Sequence, residues 1–196
     1  MLIDLHCHSQ PLSACSGLSA ERLVELARSR GLDGICLSEH DRLWPEDQLV
    51  ALRERTGFLI LPAVELTTDM GHILAFGLQK LSVDFAIAAN VFQAAQECGA
   101  LLFLAHPARD GMLRVNADTV RFFESVEAIN GSDTRLQNLA ASGLAHGFRL
   151  PGIGGSDCHT ASEVGRAATR FTAPVHDEAS LLEAMRGGEY EAAYIA

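Results

Sequence analysis

Short apolar runs and amphipathic stretches take turns along the chain, and their order predicts its elements. "LIDLHCH" reads as a strand. "SAERLVELARSRG" then carries apolar residues at helical spacing, with Ser19 placed as an N-cap and Gly31 as a stop. "DGICLSEHD" is the next strand, and "WPEDQLVALRERTG" the next helix, with Pro45 near its start and Gly57 at its end. "FLILPAVEL" and "HILAFGL" follow as two apolar runs divided by "TTDMG". A helix over "VDFAIAANVFQAAQECG" leads into "ALLFLAHP". Beyond it come "VEAING", the helix "RLQNLAASGLAHG", the strand "LPGIGGSDCH", the run "GRAATRFTA" and the helix "EASLLEAMRGG". Strand and helix in alternation predict a parallel sheet with helical crossovers, either doubly wound or closed into a barrel. No repeat or linker divides residues 1–196, which read as one domain.

The polar, chemically able residues are not scattered over this pattern. His6, His8, His40, Glu65, His106, Asp157 and His159 all stand at the carboxyl ends of apolar runs. In parallel α/β folds that edge is where sites are assembled. Histidines that merely fill a core would show no such bias. Six of the eight histidines, His72 included, lie at or beside predicted strand ends, whereas His146 falls inside a helix and His176 in a polar segment.

Composition narrows the function classes. Hydrophobic residues make up 48% of the 196, and 15 basic against 25 acidic residues leave a net charge of -10. Such a surface lacks the basic stripe needed to track a long nucleic acid. A short phosphorylated substrate stays compatible, because bound cations offset acidic charge locally. No apolar run is long enough to span a bilayer. The opening "MLIDLHCHS" has no basic segment or cleavage site, so the expected location is the cytoplasm, away from membranes. Five cysteines without a CxxC spacing (Cys7, Cys15, Cys36, Cys98, Cys158) argue against a disulfide framework and a zinc ribbon.

Spacing within two of the strand ends points to metal chemistry. In a strand, residues i and i+2 share a face about 7 Å apart, so His6 and His8 of "HCH" can converge on one cation with Cys7 turned away. "DCH" repeats the spacing with Asp157 and His159. Imidazole and carboxylate donors together suit zinc, manganese or iron.

In this order, "DLHCHS", "SEHD", "VELTTDMGHILAFG", "AHP" and "GGSDCH" resemble the PHP (polymerase and histidinol phosphatase) family of metal-dependent phosphoesterases, over residues 4 to about 159. The resemblance implies a distorted (β/α)7 barrel with two or three divalent metal ions (Zn, Mn or Fe) at the carboxyl ends of its strands. Carried over by position, it gives the first metal to His6, His8 and Asp157. Glu65 bridges to a second metal completed by His72 and His106. His40 and His159 match ligands of a third. This chain departs from the pattern where trinuclear members have a further His or Asp, for it has Ser13, Ala14 and Cys15 there. That leaves the third site open and frees His40 and His159 for acid–base work.

The implied reaction is hydrolysis of a phosphate ester by a metal-activated hydroxide. Arg109, three residues past His106, is the candidate phosphate clamp, with Arg166 weaker and Asn130 a further candidate or a turn residue. Gly154 and Gly155 lack the lysine of a P-loop and instead predict close backbone approach. One rival is an amidohydrolase-type enzyme cleaving C–N bonds, whose bridging ligand is often a modified lysine. The sole lysine, Lys80, stands beyond "HILAFGLQ" and not at a carboxyl end aligned with the other candidate ligands. A second rival is a non-catalytic metal-binding module. Selectivity is assigned to short loops such as "RDGMLRVNAD". Neither substrate identity nor oligomeric state is legible in the residues.

Overall fold

The computed structural model describes residues 1–109 and 120–195. The loop "RDGMLRVNAD", apart from Arg109, therefore lies outside the described residues. Among the described residues, nine strands form one sheet: β1 (Leu2–Cys7), β2 (Gly34–His40), β3 (Leu59–Thr68), β4 (Gly71–Phe76), β5 (Leu101–Leu104), β6 (Ser125–Asn130), β7 (Ile153–Gly155), β8 (Ala167–Phe171) and β9 (Tyr190–Tyr194). Their order across the sheet is β7-β6-β5-β4-β3-β2-β1-β8-β9. Five α-helices lie among the same residues: α1 (Ala20–Ser29), α2 (Glu46–Thr56), α3 (Ala88–Cys98), α4 (Arg135–Ala145) and α5 (Glu178–Gly187).

Local chemistry explains the helix limits. Ser19 caps α1 through its side chain, which accepts the Arg22 N–H. Gly57 ends α2 at φ 58, a left-handed turn that glycine adopts without strain. Thr134 and Gln137 form a reciprocal capping box on α4. The apolar stripe of α1 (Leu23, Val24, Ala27) packs with Leu49 and Leu52 of α2 over Ile35 and Leu37 of β2. A second buried cluster joins Leu5, Leu61, Leu74, Phe76, Phe103 and Ile153 from five strands to Leu181 and Met185 of α5.

The pairing departs from an all-parallel sheet. β1, β2 and β3 are parallel, as are β5, β6 and β7, but β4 runs antiparallel to both neighbours. Only Asp69 and Met70 separate β3 from β4. A parallel return needs a crossover of about a dozen residues or more, so two residues permit only a hairpin. β8 and β9 are likewise antiparallel, and β9 had no clear signal in the sequence pattern. The single helix expected over residues 83–99 is a 3-10 turn at Val83–Ala86 followed by α3.

The sheet curls until β7 returns to β1. Asp157 N–H donates to the His6 carbonyl at 2.8 Å, His8 N–H donates to the Cys158 carbonyl at 3.3 Å, and Cys7 and Cys158 form a parallel bridge. A Cβ on Gly155 would stand 2.4 Å from His6 Cβ, and one on Gly154 would stand 2.4 Å from the Ala168 carbonyl oxygen. The glycine pair therefore lets the backbones close up, as its position suggested. The result is a nearly closed, mixed α/β barrel, distorted by the reversed β4.

Candidate metal centre

The curl gathers the predicted residues at one rim. His6 lies on β1 and His8 just past its end; His40 ends β2, Glu65 lies on β3, and His106, Asp157 and His159 follow β5 and β7. His72 comes from the amino-terminal end of β4, which is the same rim because β4 runs the other way. One local expectation needs correction. β7 stops at Gly155, so Asp157 and His159 are not a same-face pair on a strand. Asp157 instead sits in a turn at φ 51, and its own carbonyl is 3.0 Å from His159 Nδ1. His106 also has positive φ, at 28. Neither conformation is comfortable for a side-chain-bearing residue, and both occur where ligating groups must be aimed inward.

Glu65 is the centre of the arrangement. Its Oε1 lies 2.8 Å from His72 Nδ1 and 2.9 Å from His106 Nε2. Its Oε2 lies 3.2 Å from His6 Nε2, 3.1 Å from His8 Nε2 and 3.0 Å from His40 Nδ1. Asp157 Oδ1 is 3.5 Å from His6 Nε2 and 3.3 Å from His8 Nε2. The two imidazole nitrogens are themselves 3.0 Å apart. Glu65 Oε2 is buried yet has no hydrogen-bond partner with acceptable geometry among the described residues. Nitrogen and oxygen lone pairs thus converge on shared space, which is what a cation requires and a hydrogen-bond network does not.

Three groups of donors lie within 4.8 Å of one another: His6, His8, Glu65 and Asp157; His40, Glu65 and His72; and His8, His40 and His159. The first matches the expected first-metal set together with the bridging Glu65. In the second, His40 stands where His106 was expected, while His106 reaches the same carboxylate from the other side. These clusters can hold more than one metal ion.

Without a cation, protons carry the balancing charge. Burial opposes a charged His6, but Glu127, Asp157 and Glu65 outweigh it and raise its pKa well above 6.5. Burial opposes His8 likewise, and the adjacent carboxylates of Asp157 and Glu65 lift it to about 9. His40 moves the other way, to about 4, because burial and the neighbouring His8, His72 and His6 outweigh Glu65. The surrounding imidazoles overcome burial at Glu65 and Asp157 and hold both carboxyls below the usual range. Each raised histidine proton occupies a position that a divalent cation would take.

Several supporting groups carried no sequence signal. Glu127 of β6, fully buried, lies 2.9 Å from His6 Nδ1 and accepts the backbone N–H of His106 at 2.9 Å. Ser13 fills the position where a further ligand was considered: its Oγ is 3.4 Å from His8 Nδ1 and accepts the His40 N–H at 3.3 Å. Cys15 is exposed, and partial burial together with Glu39, Glu65 and Asp157 raises its thiol pKa, which disfavours a thiolate ligand. Arg109 does reach the site, but Nε donates to Asp133 at 2.7 Å and Nη2 to Asp157 at 2.8 Å. What it holds in this structure is Asp157. Asn130 ends β6 and donates to Asp157 Oδ2 at 3.2 Å, so it is more than a turn residue. Arg166 instead bonds the Ser162 carbonyl. His146 bonds the Ser142 carbonyl within its own helix region, His176 faces solvent, and Lys80 is exposed.

Fold and site together define a PHP-like barrel with a buried histidine–carboxylate centre. The sequence pattern of the PHP-associated family matches residues 135–190, the stretch that carries Asp157 and His159. Solved structures with the same fold include a two-domain protein from Bacteroides vulgatus containing a predicted PHP-like metal-dependent phosphoesterase. It aligns at TM-score 0.74 and 23% identity over 100% of this chain. This chain spans 65% of that protein's length. PsfC from Pseudomonas syringae aligns at TM-score 0.73 and 16% identity, covering 100% of this chain and 91% of PsfC. An amidohydrolase from Chromobacterium violaceum, solved with sulfate and no metal, aligns at 0.63 and 17%, covering 99% and 98%. No curated protein matches the sequence. Among the described residues no helix is long and apolar enough to cross a membrane.

Proposed function

We propose that this chain is a metal-dependent phosphoesterase acting on a small phosphorylated substrate rather than a long nucleic acid. The observation that carries the reading is Glu65, a buried carboxylate whose two oxygens face five imidazoles carried by four strands or their ends. His6, His8, Glu65 and Asp157 would hold one cation, and Glu65, His72, His40 and His106 a second. Zinc, manganese and iron all suit this donor set. Bound there, such cations acidify a water and neutralise phosphoryl oxygens.

The chain's own groups do the remaining work. Glu65 and Asp157 keep the donors of two strand ends in register, and Arg109 holds Asp157 against rotation. The third group, His8, His40 and His159, contains no carboxylate, and Ser13 supplies no charge beside it. On electrostatic grounds it is the weakest cation site of the three. We therefore assign His159, about 29% exposed at the mouth, to proton delivery to the leaving oxygen. Its Nδ1 faces the Asp157 carbonyl, which leaves Nε2 for the substrate. His40, with its pKa held near 4, is neutral at pH 7 and suits ligation better than acid catalysis.

Elemental analysis of protein purified without added metal, then phosphate release from p-nitrophenyl phosphate with manganese, iron or zinc, tests the reading. Metal-dependent turnover that disappears in Asp157→Ala is expected; a metal-loaded protein inert to every phosphate ester would overturn it. The name of the Chromobacterium violaceum protein favours a second reading, C–N hydrolysis. Against it, a glutamate and not a lysine faces the clustered imidazoles, and Lys80 is exposed. Turnover of cyclic amides in place of phosphate esters would decide for it.

A further inference from the structure

We infer that Glu127 is the positioning residue of the metal centre, setting the tautomer of His6 and the seat of His106 from a single buried carboxylate. The inference rests on the metal-centre reading above and concerns a residue outside the ligand set.

Glu127 lies on β6 and is fully buried. A buried carboxylate costs free energy unless donors surround it. Here they do. Oε2 accepts the His106 backbone N–H at 2.9 Å and the Asn130 side-chain N–H at 2.9 Å. Oε1 lies 2.9 Å from His6 Nδ1. A backbone amide can only donate, so Oε2 is an acceptor. Oε1 as an acceptor in turn requires the proton to sit on His6 Nδ1. The lone pair of a neutral His6 is then on Nε2, the atom that faces Glu65, Asp157 and His8. A carboxylate behind a ligating imidazole fixes ring orientation and raises the basicity of the outward nitrogen.

The same carboxylate reaches the second ligand cluster through the backbone. The N–H it accepts belongs to His106, whose φ of 28 is unfavourable and needs an external tie to persist. Asn130 extends the tie to Asp157. One side chain on β6 therefore registers groups carried by β1, by the turn after β5 and, through Asn130, by the turn after β7. Sequence spacing cannot expose this, because Glu127 is 121 residues from His6.

The test is zinc affinity of the full chain, measured by competition with a chromophoric chelator, for wild type and Glu127→Gln. The amide keeps the size and loses the charge, but whichever way it turns its N–H2 meets a donor, either His6 Nδ1–H or the N–H groups of His106 and Asn130. Expected of the folded variant is zinc binding weaker by about 10–100-fold, beside a lower melting temperature of the zinc-free protein, because buried donors then face each other. Nitrogen-15 NMR of the zinc-loaded wild type supplies the second readout: His6 is expected to carry its proton on Nδ1. Affinity unchanged in Glu127→Gln would overturn the inference while leaving the metal centre intact. So would a His6 found bare at Nδ1, even if the variant failed to fold. Wild-type protein that binds no zinc, manganese or iron would instead remove the metal-centre reading, and the inference with it.

Discussion

Glu65 and Arg109 show how much of this site turns on single charges. Glu65→Gln keeps the side chain's shape but places an amide N–H2 among imidazole lone pairs. Metal content should drop below wild type, and phosphate release should fall by more than about 100-fold, beyond the range of changes made one shell further out; elemental analysis and a release assay measure the two. Arg109→Lys should weaken metal binding about tenfold, because one ammonium cannot bridge Asp133 and Asp157 as the planar fork does. Unchanged affinity would show that Asp157 needs no such tether. Metal uptake should also release protons. At pH 7 the metal-free His8, with its pKa near 9, is protonated and must lose that proton to ligate. Calorimetry in buffers of different ionisation enthalpy should therefore report release at pH 7 that declines as the pH rises through about 9. Single residues also mark where sequence reasoning succeeded. The candidate histidines and acids do lie at one rim, since a strand end is a local feature that an apolar run announces. Glu127, Ser13 and Arg109's grip on Asp157 were not legible, because nothing local distinguishes a carboxylate or hydroxyl that will meet a histidine across the barrel.

Among elements, the contact of β7 with β1 decides whether a rim exists at all. Gly155→Ala would place a methyl 2.4 Å from His6 Cβ, so β7 must move away or β1 must bend. A loss of about 1–3 kcal/mol is expected from overpacking, together with weakened metal binding, since Asp157 is carried by the same turn. Urea denaturation of the metal-free variant beside a metal titration would separate the two effects; a variant as stable and as tightly metal-loaded as wild type would contradict this close approach. The β3–β4 hairpin makes a related point. Periodicity found both apolar runs but not their direction, which the two-residue Asp69–Met70 connection imposes. That reversal matters for chemistry, because it brings His72, at the beginning of its strand, to the rim where other strands end. β9 was missed because it completes the sheet beside β8 rather than announcing itself by alternation.

At the scale of the whole molecule, the metal-free barrel carries an electrostatic load that a cation should relieve. His8, raised from 6.5 to about 9, and His6, raised also, contribute stability that is full below pH 6.5 and lost as pH climbs through their folded values. His40, lowered from 6.5 to about 4, contributes above pH 6.5 and loses that contribution as pH falls toward 4. Glu65 and Asp157 contribute above their ordinary values of 4.5 and 3.8 and fail in acid. Metal-free protein should therefore melt highest near pH 6.5 and lose stability up to pH 9. Metal-loaded protein should melt higher and lack the alkaline decline, because the cation stands in for the proton. Scanning calorimetry across that range, with and without chelator, gives the answer; coincident curves would argue that no cation binds. By itself the sequence determined which segments are strands and helices, that chemistry gathers at strand ends, and which imidazoles and acids are candidates, since periodicity, capping and i, i+2 spacing act over a few residues. Only the tertiary structure decided the antiparallel turn of β4, the closure of β7 onto β1, the pairing of His40 with His72 around Glu65, and the buried carboxylate behind His6. Each of those depends on contacts between distant segments, and a distance in space across a barrel is not encoded by any spacing along the chain.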